Sequence, residues 1–379
     1  MQISNHKTAI VIGAGIVGLS TARALALKGY QVTIFERSNM AVGASIRNFG
    51  MIWPIGQPDG VLLNRAMRSK SIWKEVATET KTWFDECGSL HLAYHIDEMQ
   101  VLNELESAFR AQGRTVSLLT PEAIIRKYNG IQTKGLLGGL YSESEMIVNS
   151  VDAIPDIARY LQEQLNVTIL WGTVITHIEK GIAHNGNKKY KADLIYVCSG
   201  TDFETLFPVE FSSIKITKCK LQMMRFKSDV PNWRINTAVC GGLSLIHYNS
   251  FKVANSLASL KYRYETEMSE YTKNGIHVMV SQNNLGELIV GDTHEYGLTF
   301  DPFDRVELNQ FITGYLSTFV NISSWKLIKT WNGIYPKMTN GETELILNPL
   351  ENVYIINGVG GAGMTLSFGL TEEIVNKTC

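Results

Sequence analysis

Glycines at positions 13, 15 and 18 are spaced as G-x-G-x-x-G in "VIGAGIVGLS", and Glu36 follows about twenty residues later. Without side chains at such positions, a pyrophosphate can approach backbone amides and the positive end of a helix. An acid at Glu36 can accept hydrogen bonds from a ribose diol and disfavours the 2′-phosphate of NADP, while NAD and FAD remain. A second glycine-rich turn, Gly360, Gly361 and Gly363, runs into "MTLSFGLTEEIV" near the other end of the chain. A helix starting there would aim partial positive charge at the N1/C2=O side of an isoalloxazine ring and favour its reduced form. The same glycines equally serve a tight turn alone.

These residues need elements to hold them. "TAIVIGAG" is a β-branched apolar run ending in glycine, as in a parallel strand buried on both faces. "IVGLSTARALALKG" is rich in Ala and Leu and ends at Gly29, a suitable helix C′ residue, and "YQVTIFER" supplies a second strand. Further along, "DAIPDIARYLQEQL" places Ile154, Ile157, Leu161 and Leu165 on one helix face, between them and the strand "LIYVCSG" comes a strand in "VTILWGTVITHIEKG", and "NVYIING" enters the last glycine turn. "RSKSIWKEVATETKTWFDECG" and "EMQVLNELESAFRAQG" read as helices, and "GIHVMVSQNNLGELIVGDTH" as a hairpin turning at Asn283 to Gly286.

The 379 residues, 45% hydrophobic and 19% charged, are long enough for two domains with a substantial core. Lys+Arg 35 against Asp+Glu 36 leaves a charge of -1, so no global field favours nucleic acid or an anionic membrane. Cys87, Cys198, Cys219, Cys240 and Cys379 include no C-x-x-C pair, which argues against zinc, a redox dithiol or a disulfide framework. The apolar stretch 9–27 contains Arg23 and three glycines, so no integral membrane insertion is expected, and a reducing cytoplasm is the simplest location.

Together "VIGAGIVGLSTARALALKGYQVTIFER", "GASIRNFGMIWP", "DLIYVCSG", "WNGIYPKMTNGETELI" and "GVGGAGMTLSFGLTEEI" resemble, in content and order, the D-amino-acid oxidase-like FAD-dependent oxidoreductases, which include glycine and sarcosine oxidases. The resemblance implies an α/β plus α+β fold. A discontinuous Rossmann-like FAD domain of the D-amino-acid oxidase/glutathione-reductase type would join an antiparallel-sheet substrate domain. We assign residues 1–75, 145–210 and 326–379 to the first and 76–144 and 211–325 to the second.

By this resemblance Gly13, Gly15 and Gly18 hold the pyrophosphate and Glu36 the adenosine ribose. Ala44, Ser45, Arg47 and Asn48 run beside the pyrophosphate and flavin, the Val174 backbone meets the adenine, and Gly363, Met364 and Thr365 line the pyrimidine edge. Ile16, Val17, Arg37, Ser199, Gly200, Gly333 and Gly361 complete the expected cofactor site. Residues 326–340 contain no Cys and Phe49 stands near the usual histidine position, so FAD is expected to be non-covalent.

The implied chemistry is oxidation of a C-N bond of a small amine: hydride passes to flavin N5, the imine hydrolyses, and O2 or another acceptor reoxidises the flavin. The C-terminal glycine segment has neither Arg nor Lys to clamp a carboxylate. "ASIRNFGMIWPIGQPDG", "GSLHLA", "GIHVMVSQ" and "GDTHEYG" are similar to a subgroup associated with aminophosphonate breakdown, which implies 2-aminoethylphosphonate-like amines, N-methylated or hydroxylated. Arg47, Asn48, His277, His294 and Trp331 are the catalytic-site expectations, with Trp53, Tyr248 and Tyr296 as further aromatic walls. Lys218 with Lys220, and Lys261 with Arg263, alternate along expected strands and could face an anion or solvent. His91, His247, His277 and His294 are scattered and lack H-x-x-x-H spacing, so no metal site is expected. Glycine, sarcosine or D-amino-acid oxidation is the rival chemistry; an electron-transfer flavoprotein needing a partner and an NAD-dependent dehydrogenase are rivals of other classes.

Overall fold

The structure, a computed structural model, describes residues 7–321 and 324–379; residues 1–6 and 322–323 of the proposed domains lie outside it. The first layer is a six-stranded sheet. Its strands are β1 (Thr8–Ile12), β2 (Gln31–Phe35), β3 (Thr168–Leu170), β4 (Leu194–Val197), β9 (Leu345–Leu350) and β10 (Val353–Asn357), in the order β9-β10-β4-β1-β2-β3. All neighbours are parallel except the edge pair β9 and β10. The continuous apolar run at β1 is buried on both faces, as the sequence requires of a central parallel strand.

Helices α1 (Ile16–Leu27), α2 (Ser150–Leu165) and α3 (Gly363–Thr378) cover one face of this sheet. Leu19, Ile154, Ile157, Leu161 and Phe368 pack with Val11 and Ile34 in one core. The expected strand in "VTILWGTVITHIEKG" is broken: after β3 the chain loops through Val174 before a separate short strand, His177–Glu179.

The second layer is a nine-stranded, mostly antiparallel sheet. It contains β5 (Ile216–Ser228), β6 (Met279–Gln282), β7 (Leu288–Gly291) and β8 (Trp325–Met338). β6 and β7 form the expected hairpin, with Met279 opposite Gly291. β8 pairs along its length with β5, from Trp325 opposite Ser228 to Met338 opposite Ile216. Where the third FAD-domain segment was expected to start at 326, we propose a boundary after Met338, because this pairing ties β8 to the large sheet. Lys261 and Arg263 lie on a helix, Leu257–Glu267, where the sequence reading expected a strand. Among the described residues the five cysteines are free, and no helix is long and apolar enough to cross a membrane.

Candidate active site

A cavity of about 500 Å³ connects the two layers, lined at one end by the β1–α1 turn and at the other by the large sheet. Gly13 has φ +105°, and a Cβ there would lie 2.3 Å from the Cys198 carbonyl oxygen. The amides of Gly15 and Val17, on the same turn, donate to no group among the described residues, while Ile16 N donates to Ser45 Oγ at 2.9 Å. Glu36 accepts the Ala14 amide at 2.9 Å on one oxygen and the Ser38 amide at 2.9 Å on the other, which fixes the carboxylate beside the turn. Gly18 does not line the cavity; its Cβ would meet the Gly13 carbonyl at 1.9 Å, so this glycine lets α1 pack close to β1.

The other cofactor expectations, Ile16, Val17, Arg37, Ala44, Ser45, Val174, Ser199, Gly200, Gly333, Gly361, Gly363, Met364 and Thr365, all border the cavity. Arg37 is held by Asp202 at 2.7 Å, and Asn185 donates to the Val174 carbonyl at 2.6 Å. α3 begins at Gly363 without a side-chain cap, so its positive end is open to the cavity. Trp73 Nε1 donates to the Met364 carbonyl at 2.7 Å, and Thr365 Oγ1 accepts the Trp53 amide at 2.9 Å, so the turn is pinned from both sides. A Cβ on Gly363 would stand 3.8 Å from Ile16 Cγ2: the two glycine-rich turns abut.

Of the catalytic expectations, Arg47 lines the cavity and has no carboxylate partner among the described residues; its Nη1 reaches only the Asn332 carbonyl, at 3.4 Å. Asn48, expected at both the catalytic and the cofactor site, lines the cavity too. Its Nδ2 donates to the Ala44 and Ser45 carbonyls at 2.8 and 2.9 Å and its Oδ1 accepts the Gly50 amide at 2.7 Å, so its amide also shapes the loop. Trp331 lies off the cavity, with Arg225 5.6 Å over its ring and its Nε1 donating to the Arg47 carbonyl at 3.4 Å. Tyr296 is likewise off the cavity, whereas Trp53 and Tyr248 line it. The basic strand pairs serve structure: Lys218 binds Glu204, buried Lys220 binds the Asp301 and Phe303 carbonyls, Lys261 meets Glu265 and Arg263 binds Asp97.

Three histidines that are far apart in sequence converge, which corrects the reading of them as scattered. One ring nitrogen from each of His247, His277 and His294 lies within 4.8 Å of the other two. His247 stacks on His277 at 3.6 Å between ring centres, and His277 on His294 at 5.2 Å. His277 Nε2 lies 3.2 Å from Asp292 Oδ1, and His294 Nδ1 is 2.8 Å from the Gly275 carbonyl. Burial, then the neighbouring histidines and Lys337, holds His277 well below the ordinary imidazole range; burial moves His294 to about 4. Burial also pushes Asp292 well above the usual carboxyl range, which favours its neutral form. His91 stands apart, enclosed by Trp53 and Phe251. Asp292 and Lys337, which sequence reasoning passed over, both line the cavity.

The sequence model of the family described as "DAO: FAD dependent oxidoreductase" matches residues 8–376. The chain belongs to this family of FAD-dependent oxidoreductases. Among solved structures, glycine oxidase from Geobacillus kaustophilus superimposes with a TM-score of 0.78 at 20% identity, over 97% of this chain and 93% of that one. L-proline dehydrogenase from P. horikoshii gives 0.79 at 19% identity, over 98% and 94%. These likenesses establish the fold. Among curated proteins, the tRNA 5-methylaminomethyl-2-thiouridine biosynthesis bifunctional protein MnmC of Saccharophagus degradans is 24% identical over 249 residues, which cover 62% of this chain and 34% of the relative. The flavoenzyme thus spans about a third of the length of that relative.

FAD is the cofactor of this flavoenzyme, and the site fits it. The turn at Gly13 admits no side chain against the Cys198 carbonyl, two amides at the adjoining helix end await an acceptor, and Glu36 is fixed within reach of the same turn.

Proposed function

We propose that this flavoenzyme oxidises the C-N bond of a small amine bearing a phosphonate, of the 2-aminoethylphosphonate type with its N-methylated or hydroxylated forms. The observation that carries the reading is the charge of the cavity. Arg47 and Lys337 both line it and neither has a carboxylate partner among the described residues, while burial pushes Asp292 well above the usual carboxyl range and so favours its neutral form. Two cations without carboxylate partners, beside hydrogen-bond donors, suit a dianion with three oxygens.

FAD bound between the two glycine turns supplies a two-electron acceptor. Gly13, Gly15, Val17 and Glu36 would hold its dinucleotide, and the open end of α3 at Gly363 would meet its ring. The protein contributes orientation and electrostatics. Arg47 anchors the anionic end of the substrate, and Trp53, Tyr248 and Tyr335 supply an aromatic enclosure that limits water around the reacting carbon. The amine loses two electrons and two protons, one of them carried with the electron pair as hydride, to become an imine, which water splits into a carbonyl compound and an amine or ammonia.

The glycine oxidase fold favours a second reading, in which the substrate carries a carboxylate. Steady-state kinetics with 2-aminoethylphosphonate and β-alanine separate the two, since the amines differ in the anion alone. A preference of about tenfold or more in kcat/KM for the phosphonate is expected, equivalent to ~1.4 kcal/mol of transition-state stabilisation. Equal use of both, or preference for β-alanine, would replace the phosphonate reading with the carboxylate one.

A further inference from the structure

We infer that His247, His277 and His294, with Lys337, form a subsite for a tetrahedral dianionic oxyanion, and that binding there draws one proton into the cluster. The inference rests on the phosphonate reading above and assigns the residues that grip the group.

The tautomers follow from the partners. The Gly275 carbonyl can only accept, so His294 carries its proton on Nδ1 and Nε2 of the neutral ring is bare. Such a ring can donate to an oxyanion only after taking up a proton at Nε2. His277 differs. Its Nε2 lies 3.2 Å from Asp292 Oδ1, whose carboxyl burial pushes towards the protonated form, and a donor there would leave the ring hydrogen on Nδ1. Both that Nδ1 and Asp292 Oδ1 are buried without a hydrogen-bond partner among the described residues, so His277 has an unsatisfied ring nitrogen to offer an oxyanion. His247 presents an exposed edge to the cavity directly above His277. Lys337, whose Nζ donates to Tyr296 at 3.0 Å, adds positive charge that lowers all three imidazoles.

Two ligand classes fit such a cluster: three ring nitrogens lie within 4.8 Å of one another, close enough for a metal ion, while the His247 and His277 rings stack 3.6 Å apart at 26°. The positive charge of Lys337 beside all three imidazoles favours an anion over a cation there, and the separate oxygens of a phosphonate accept donors arranged in a row. Asp292, Lys337, Tyr248, Tyr296, Tyr335 and Cys219 face this cluster from the surrounding segments. Burial raises Tyr248 and Tyr335 well above the ordinary phenol range and Cys219 to about 11, so these three stay protonated while the imidazoles titrate.

The test uses the FAD-loaded protein and methylphosphonate, which has no amine to oxidise, with acetate as control; binding is read by calorimetry and by perturbation of the flavin spectrum. Methylphosphonate should bind at least about tenfold more tightly than acetate. Between about pH 9 and 10, where the probe is almost wholly the dianion, its affinity should weaken by about tenfold per pH unit, the signature of one proton taken up. His294→Asn should abolish this slope, and His247→Ala should weaken binding about tenfold with FAD content unchanged. If wild type binds methylphosphonate and both variants match it in affinity and slope, the phosphonate lies elsewhere in the cavity and the subsite is wrong. Binding that requires added Zn2+ and vanishes with a chelator would replace direct donation with a metal centre. No methylphosphonate binding, together with turnover of carboxylate-bearing amines, would remove the functional reading itself.

Discussion

His277 and Asp292 form a buried pair at the edge of the cavity, Nε2 to Oδ1 3.2 Å, in which burial holds the imidazole well below and the carboxyl well above its ordinary range. Both shifts favour the neutral forms, and a neutral carboxylic acid would act as a donor that an amide can replace. Asp292→Asn should change kcat/KM by less than about threefold, because the amide also donates to Nε2, whereas Asp292→Ala should lower it by about tenfold. A large loss in the Asn variant with FAD content intact would show that Asp292 works as an anion.

Arg47 is the cavity's guanidinium without a carboxylate partner; its Nη1 reaches the Asn332 carbonyl at 3.4 Å, and its own carbonyl accepts from Trp331. Arg47→Ala should therefore leave the fold in place and raise KM for the phosphonate amine by about tenfold or more, since a charge-assisted contact contributes about 1.5–3 kcal/mol. Kinetics with flavin content measured in parallel check this. Unchanged KM at normal flavin content would remove Arg47 from the substrate site.

Gly13 combines φ +105° with a Cβ position 2.3 Å from the Cys198 carbonyl. Gly13→Ala strains the turn by about 1–3 kcal/mol and shifts the amides that would meet the pyrophosphate. The purified variant should carry less than about a tenth of the wild-type flavin absorbance per protein, and full flavin content would contradict the placement of the dinucleotide. For wild type, the yellow flavin should leave the protein on acid precipitation, as non-covalent attachment requires.

Buried histidines also set the acid limit of the fold. Burial holds His91 at about 3, and both of its ring nitrogens lack partners. Below the ordinary imidazole range, near pH 6.5, the unfolded chain takes up a proton that the folded chain refuses. Stability therefore falls as pH drops from about 6.5 towards 3, by about 1.4 kcal/mol per pH unit from this residue. His91→Leu should lose less of its urea midpoint than wild type between pH 7.5 and 5.0. An identical drop in both proteins would show that His91 is protonated in the folded state.

The cofactor half of the site was legible because its signals are local. Gly13, Gly15 and Glu36 lie within one β-α-β unit, and the turn from Gly361 to Thr365 opens the last helix, so each could be placed by strand and helix pattern alone. Gly18 showed the right spacing while serving helix packing, a distinction that needs the 1.9 Å approach to the Gly13 carbonyl. The substrate half depends on long-range pairing. His277 and Asp292 flank a hairpin whose register, Met279 opposite Gly291, brings them together, so counting outward from the turn at 283–286 would have found the pair. His247 comes from a different segment, and Lys337 from β8 on the other side of β5, and no local pattern joins them. Trp331 and Lys337 lie on the same strand, yet Trp331 packs beneath Arg225 and Lys337 borders the cavity; strand alternation alone did not separate them.

The most direct test mixes the oxidised, FAD-loaded protein anaerobically with N-methylated 2-aminoethylphosphonate, its unmethylated and hydroxylated relatives, sarcosine, glycine and D-alanine, and follows the visible flavin band. Rapid bleaching by one or more of the phosphonates, with the amino acids slower by about tenfold or more, is the predicted result. Bleaching by the amino acids instead, or a flavin left oxidised by every amine, would contradict the account.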